Sequence, residues 1–129
     1  MSARTDRRAR LRAAAPAIAY AVLIFAGSAI PGREMVGLPF WSFDKVLHAG
    51  EFGLFAALLY RAFTRPRPAW RPLLAAVLIA VAYGFLDEIH QLFVPGRNCD
   101  PGDFLADAAG VLAAASLLTF LRRRGTIGS

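Results

Sequence analysis

The sequence predicts an all-α membrane protein in which four transmembrane helices form a compact bundle with both termini in the cytoplasm. Three observations predict this class: an apolar composition, four apolar stretches of membrane-spanning length, and basic residues that gather on one side. Hydrophobic residues make up 57% of the 129 residues, a larger share than in an ordinary soluble domain. The mean hydropathy of the chain is +0.46. We divide the chain into a basic cytoplasmic tail (1–12), a four-helix membrane domain (13–121) and a second basic cytoplasmic tail (122–129).

The four helices are predicted from length and from their end signals. A helix needs about 20 residues to cross a hydrocarbon core of about 30 Å. Pro72 suits the first turn of the third helix, where proline is tolerated, and Asp103 is the predicted N-cap of the fourth. No stretch has the alternating pattern of a barrel strand. The predicted helices run from Ala13 to Ile30, from Asp44 to Phe63, from Pro72 to Val94 and from Phe104 to Leu121.

The distribution of basic residues predicts the orientation, because cytoplasmic segments are enriched in Lys and Arg. Of fifteen basic residues, only Arg33, Lys45 and Arg97 fall on the other side. The remaining twelve lie at the two termini and around the link between the second and third helices. They are Arg4, Arg7, Arg8, Arg10, Arg12, Arg61, Arg65, Arg67, Arg71, Arg122, Arg123 and Arg124. An even number of helices is consistent with both termini lying in the cytoplasm.

A cleaved signal peptide is the alternative interpretation of the first apolar stretch, since basic residues precede a run that ends in Ala-Gly-Ser-Ala. The run is long for the apolar part of a signal peptide, and Ile30-Pro31 continues poorly after a cleavage site. Cleavage would leave the orientation of the other three helices unchanged.

Acidic residues mark the candidate functional site. Ionisable groups inside apolar helices are costly and point to function by default. Of nine acidic residues, all but Asp6 gather at the outer end of the predicted helices: Glu34, Asp44, Glu51, Asp87, Glu88, Asp100, Asp103 and Asp107. We expect them to face one another in an outer-leaflet pocket, with small residues such as Gly53 and Gly110 allowing close helix contact.

Helix geometry places these groups at a similar depth. At a rise of about 1.5 Å per residue, His48 lies about 6 Å and Glu51 about 10 Å into the second helix. Asp44, His48 and Glu51 share one stripe because they are spaced i, i+4, i+7, and Asp87 shares a stripe with Gln91. Asp44 and Asp103 also fit simple helix caps.

Two other residue types have less specific interpretations. Lys45 and Arg97 also fit interfacial anchors, and Phe40 and Trp41 fit an interfacial aromatic belt.

The net charge of +6 is not taken as a nucleic-acid signal, because the arginines flank apolar runs and no recognition motif accompanies them. The single Cys99 cannot form an internal disulfide.

These residues resemble the VanZ-like family of small bacterial membrane proteins. The matching stretches are Asp44-Lys45-Val46-Leu47-His48, the run from Asp87 to Arg97, and the run from Asp100 to Gly110. Together they are specific, and the resemblance covers about residues 18 to 120. Where the family often has Asn, this chain has Asp107.

The resemblance implies an integral protein of the bacterial cytoplasmic membrane that is linked to teicoplanin-type resistance. We expect an outer-leaflet pocket that binds a lipid-linked wall precursor or a lipoglycopeptide, with Lys45 and Arg97 meeting an anionic headgroup. Membrane lipids and a second copy of the chain are the other expected partners. The predicted binding residues are Asp44, Lys45, His48, Glu51, Asp87, Glu88, Gln91, Arg97, Asp100, Asp103 and Asp107.

A metal-dependent hydrolase or transferase acting on a lipid-linked substrate is the alternative function. His48 and the carboxylates are ligand types for Zn²⁺, Mg²⁺ or Mn²⁺, and a bound ion would explain carboxylates without paired cations. Their spacing matches no metal motif, however, so the sequence assigns no metal ligand and no catalytic residue. Proton-coupled transport and a purely structural polar layer remain as further alternatives.

Overall fold

The computed structural model describes residues 3–32, 43–64 and 70–125, and in these ranges the regular secondary structure is entirely helical. The four long helices are α1 (Ala3–Ser28), α2 (Asp44–Phe63), α3 (Trp70–Gln91) and α4 (Pro101–Arg123). Each is long and apolar enough to cross a membrane. The predicted fold class, an all-α membrane bundle of four helices, is therefore confirmed.

Helix α1 begins at Ala3, ten residues before the predicted start at Ala13. Ala and Arg are strong helix formers, and the i, i+4 ion pair between Asp6 and Arg10 (2.9 Å) supports the helix in this basic stretch. Apolar content identifies the part of a helix that suits a membrane, but it does not locate the first helical residue.

Helix α4 begins earlier than predicted, and its cap is a different aspartate. Asp100 is the N-cap, because its Oδ1 accepts a hydrogen bond from the Gly102 N–H (2.7 Å) and Pro101 occupies the first turn. The prediction that Asp103 caps this helix is wrong. The correction matters for the site, because the Asp103 carboxylate is left to bind other side chains.

The closest helix contact joins α2 and α4 through small residues. A Cβ added to Gly110 would overlap the backbone of Ala49, and one added to Gly53 would lie 3.0 Å from the Gly110 carbonyl oxygen. Glycine at both positions lets the two backbones approach closely. This contact brings the acidic start of α4 against the start of α2.

An aromatic cluster of two buried phenylalanines and a half-buried tyrosine joins α2 to α3 beneath the polar residues. Phe52, Phe55 and Tyr83 contact one another with ring centroids 5.2–6.4 Å apart, within the usual range for aromatic pairs. The Tyr83 hydroxyl donates a hydrogen bond to the Ala21 carbonyl (2.7 Å), which ties α1 to the cluster. Many large apolar side chains outside this core are exposed, as expected for a surface that faces lipid.

The connection between α3 and α4 holds the end of α1. The Gly32 N–H donates to the Pro95 carbonyl (3.0 Å), while the Arg97 guanidinium donates to the carbonyls of Ile30 (3.0 Å) and Gly27 (3.3 Å). These carbonyls lie at and just beyond the C-terminal end of α1, where a cation is electrostatically favourable. The end of α1 is thereby fixed beside the polar ends of α2 and α3.

Candidate functional site

A polar cluster lies where α2 and α4 begin and α3 ends. It consists of Lys45, His48, Glu88, Asp100, Asp103 and Asp107. His48, Glu88, Asp103 and Asp107 are buried, and Asp107 is 0% exposed. His48 lies one turn inside α2, Asp107 between one and two turns inside α4, and Glu88 one turn before the end of α3, so the three helices contribute to one layer.

His48 is surrounded by carboxylates. Its Nδ1 lies 2.8 Å from Asp107 Oδ1, and its Nε2 lies 3.7 Å from an oxygen of Asp44 and 3.7 Å from an oxygen of Asp103. The first distance is that of a hydrogen bond, whereas the other two allow electrostatic attraction only. The buried Asp107 therefore fixes the orientation of the imidazole.

Lys45 joins the two aspartates at the start of α4. Its Nζ donates to Asp100 Oδ2 (2.5 Å) and to Asp103 Oδ1. The Lys45 ammonium, followed by the hydrogen bond from the Gly102 N–H, lowers the pKa of the Asp100 carboxyl below its usual value. The backbone N–H of Asp100 in turn donates to Glu88 Oε2 (3.0 Å). This segment thus connects all three helices of the polar cluster.

Asp87 has different partners, although it precedes Glu88 in the sequence. Its Oδ2 accepts hydrogen bonds from the Ser28 hydroxyl (2.7 Å) and from the Gln91 amide (3.4 Å). Successive residues of a helix point in directions about 100° apart. Asp87 therefore faces α1, while Glu88 faces the start of α4.

Three buried carboxylate oxygens lack a hydrogen-bond partner among the described residues: Asp87 Oδ1, Glu88 Oε1 and Asp107 Oδ2. An unsatisfied buried polar atom costs about 1–3 kcal/mol. Among the residues that the structure describes, two groups of side chains have the composition and closeness to hold a metal ion. They are His48, Glu88 and Asp107, all buried, and Asp44, His48 and Asp103.

A cavity of about 530 Å³ lies beside the polar cluster, between α1 and α2 and the end of α3. Its polar lining includes Ser28 and Glu51, and its apolar lining includes Val46 and Leu54. No side chain in the described ranges donates a hydrogen bond to Glu51. The complete lining comprises Tyr20, Gly27, Ser28, Ile30, Asp44, Val46, Leu47, His48, Gly50, Glu51, Leu54, Gln91 and Arg97.

The predicted binding residues fall into two neighbouring groups. Five of them line the cavity: Asp44, His48, Glu51, Gln91 and Arg97. His48 is shared with the polar cluster, which contains Lys45, Glu88, Asp100, Asp103 and Asp107. Asp87 contacts Gln91 at the cavity wall. Lys45 is not among the cavity-lining residues, because its ammonium is held by Asp100 and Asp103.

Helix α1 contributes residues that the sequence did not predict as part of the site. Tyr20, Gly27, Ser28 and Ile30 all line the cavity, and Ser28 hydrogen-bonds Asp87. The sequence feature that could have indicated this contribution is Ser28, a polar residue at the end of an apolar helix. Glu34, Arg33, Phe40, Trp41, Arg65 and Arg67 of the sequence predictions lie outside the described residues.

Four membrane-spanning helices around buried charged side chains define a multi-pass membrane protein with an internal polar site. A family model described as VanZ/LLP1 matches residues 6–122. The chain belongs to the VanZ/LLP1 family, and the resemblance read from its polar motifs is confirmed. Comparisons with curated proteins and with solved structures find no match.

Proposed function

We propose that this protein binds an amphiphilic molecule of the bacterial cell envelope, a lipid-linked wall precursor or a lipoglycopeptide, in the cavity between α1 and α2. In this proposal it resides in the cytoplasmic membrane with both termini inside, and it contributes to teicoplanin-type resistance. The observation that carries the proposal is the composition of the cavity wall, which is polar on one part and apolar on another. Ligand sites combine mostly apolar walls with a few orienting polar groups in this way.

The apolar part of the wall suits a lipid chain. Val46 and Leu47 lie near the start of α2 and are exposed, and Leu54 lies two turns further along the same helix. An acyl or prenyl chain lying along α2 would cover this surface. Each buried methylene would contribute about 0.8 kcal/mol.

The polar part of the wall suits an anionic headgroup with hydroxyl and amide groups. Arg97 lines the cavity, and two of the five N–H donors of its guanidinium bond carbonyls at and just beyond the end of α1. The remaining donors would bind phosphate or carboxylate oxygens. The Glu51 carboxylate would accept hydrogen bonds from sugar or peptide groups, and the Gln91 amide N–H would donate to them. Of the two predicted cations, Arg97 is therefore the proposed headgroup ligand, and Lys45 supports the polar cluster.

Binding to protein in nanodiscs tests this proposal. We expect the wild-type protein to bind a lipid-linked wall precursor or teicoplanin, and Arg97→Ala to weaken this binding at least tenfold, since a hydrogen bond to a charged group contributes about 1.5–3 kcal/mol. Arg71→Ala is the matched control, because Arg71 lies at the opposite end of α3. Circular dichroism would establish that both variants are folded. Wild-type binding no stronger than that of empty nanodiscs, for both ligands, would contradict the proposal.

A hydrolase or transferase acting on a lipid-linked substrate is the second candidate function. It is favoured by His48, which lines the cavity and whose imidazole is oriented by the buried Asp107. A histidine held by a carboxylate is a common general base. Incubation of the precursor with wild-type protein and with His48→Gln, followed by mass spectrometry of the products, tests this candidate. An unchanged precursor in the wild-type sample would exclude it for that substrate.

A further inference from the structure

We propose that His48, Glu88 and Asp107 form a binding site for a divalent transition-metal ion at the junction of α2, α3 and α4. The proposal is independent of amphiphile binding. It rests on the geometry of three donors, on two unsatisfied buried oxygens and on the local charge.

The geometry of the three side chains fits one ion. One donor atom from each lies within 4.8 Å of the other two. Two ligand atoms bound to the same ion at about 2.0–2.6 Å are separated by at most about 5 Å. The donors are therefore close enough to one another to bind a single ion.

Unsatisfied oxygens provide a second, independent observation. Glu88 is 3% exposed and Asp107 is 0% exposed, yet Glu88 Oε1 and Asp107 Oδ2 have no hydrogen-bond partner in the described part of the chain. Buried polar atoms are nearly always paired. Both carboxylates that carry these atoms belong to the three-residue group, so a cation bound by this group would give each carboxylate a further partner.

The surrounding charges favour a cation at this point. Lys45 is the nearby ammonium, and it is already bound by Asp100 and Asp103. Within the described part of the chain, the hydrogen-bond partners of Glu88 and Asp107 are the backbone N–H of Asp100 and the imidazole of His48. Two buried carboxylates with so little compensation are costly, and a divalent ion would neutralise them.

The neighbouring group of Asp44, His48 and Asp103 is a weaker candidate. The Asp44 side chain is 36% exposed, and Asp103 is bound to Lys45. These two carboxylates lie near Nε2 of His48, while Nδ1 faces Asp107. Nδ1 is therefore the proposed ligand nitrogen, and the bound ion would replace its hydrogen bond to Asp107. The N–H at Nε2 would then be attracted electrostatically by Asp44 and Asp103, which lie too far away for a hydrogen bond.

The ligand types define the class of ion. An imidazole nitrogen suits Zn²⁺ and other transition metals, whereas carboxylates also accept Mn²⁺ and Mg²⁺. One imidazole with two carboxylates therefore favours Zn²⁺ or Mn²⁺ over Ca²⁺, which prefers oxygen ligands alone. Three protein ligands would leave a coordination position for water or for a ligand atom.

Metal binding to the purified full-length protein tests the site. Protein in detergent, stripped with a chelator and carrying Cys99→Ser to remove the exposed thiol, would be titrated with Zn²⁺ and with Mn²⁺ alone. Bound metal would be measured by elemental mass spectrometry. We expect one equivalent of at least one of these ions, and a melting temperature that rises with its concentration.

Isosteric variants connect the bound metal to the three residues. Asp107→Asn and Glu88→Gln should each reduce the affinity at least tenfold, whereas Asp87→Asn should keep it, because Asp87 is an equally buried carboxylate that faces Ser28 instead. Circular dichroism would confirm that each variant is folded.

The inference is overturned if the wild-type protein takes up neither ion, or if Asp107→Asn and Glu88→Gln bind the ion as tightly as wild type. Because Arg97→Ala tests amphiphile binding separately, failure of one proposal is distinguishable from failure of the other.

Discussion

Replacing Gly110 with alanine should lower the free energy of unfolding of the helix bundle, whereas the same replacement at an exposed glycine should not. A Cβ at this position would lie 2.6 Å from the Cα of Ala49 and would overlap the carbonyl of that residue. Carbon atoms in contact are separated by about 3.5–4.0 Å, so α2 and α4 would have to separate by about 1 Å. A gap of this size removes up to about half of the dispersion energy of each affected contact.

The expected magnitude follows from two opposing effects. Overpacking costs about 1–3 kcal/mol, and the upper end applies here because the obstacle is backbone, which cannot rotate away. Alanine recovers about 1 kcal/mol through its better helix propensity. Gly110→Ala should therefore lower the free energy of unfolding by about 2 kcal/mol.

Gly50→Ala is the matched control, since a Cβ added to Gly50 meets nothing within 4 Å. This variant should gain up to about 1 kcal/mol, so the two variants should differ by about 3 kcal/mol. Equilibrium unfolding in mixed detergent micelles, followed by circular dichroism, measures the difference. Equal stabilities, within about 0.5 kcal/mol, would refute the close α2–α4 contact.

Three further predictions address individual contacts. Ser28→Ala removes a hydrogen bond to the buried Asp87 and should lower the free energy of unfolding by about 1–3 kcal/mol in the same assay; an unchanged value would argue against that bond. The proposed orientation places Cys99, an exposed residue between α3 and α4, outside the cell. A membrane-impermeant maleimide should therefore label it in intact cells. Labelling only after lysis would contradict the proposed orientation. The lowered pKa of Asp100 means that its stabilising contribution is present above the usual carboxyl pKa of about 3.9 and is lost as the pH falls through the lower folded value. Lys45→Ala, which removes the main cause of that shift, should therefore reduce the loss of stability on acidification, and an identical pH profile would contradict this role.

The fold was largely predictable because membrane helices have a strong signature in composition and length. Helix α2 has the predicted bounds, Asp44–Phe63. The start of α1 was not predictable from hydropathy, because helix propensity extends a helix into residues that are not apolar. The start of α4 was placed three residues late because Asp103 directly precedes the apolar run that begins at Phe104. The helix instead begins at Pro101, where proline is tolerated, and Asp100 caps it.

The residues of the polar cluster could be named from the sequence, but their contacts and the cavity-lining residues of α1 could not. Periodicity places Asp44, His48 and Glu51 on one face of α2. It does not show that His48 bonds Asp107 while Glu51 faces a cavity, because those partners depend on how far α2 and α4 are rotated and shifted against each other. The same reason explains why the hydrogen bonds from Lys45 to Asp100 and Asp103 were not predicted.

The central claim is that α2, α3 and α4 turn their buried charged groups toward one another. A double-mutant cycle between His48→Ala and Asp107→Ala, measured by equilibrium unfolding, tests it most directly. Residues in contact show a coupling energy of about 0.5–3 kcal/mol, and we expect a value in this range for the pair. A second cycle between His48→Ala and Asp6→Ala, at the far end of α1, should be additive. Additivity of the His48 and Asp107 substitutions to within about 0.3 kcal/mol would show that the two side chains do not meet, and the polar cluster would have to be abandoned.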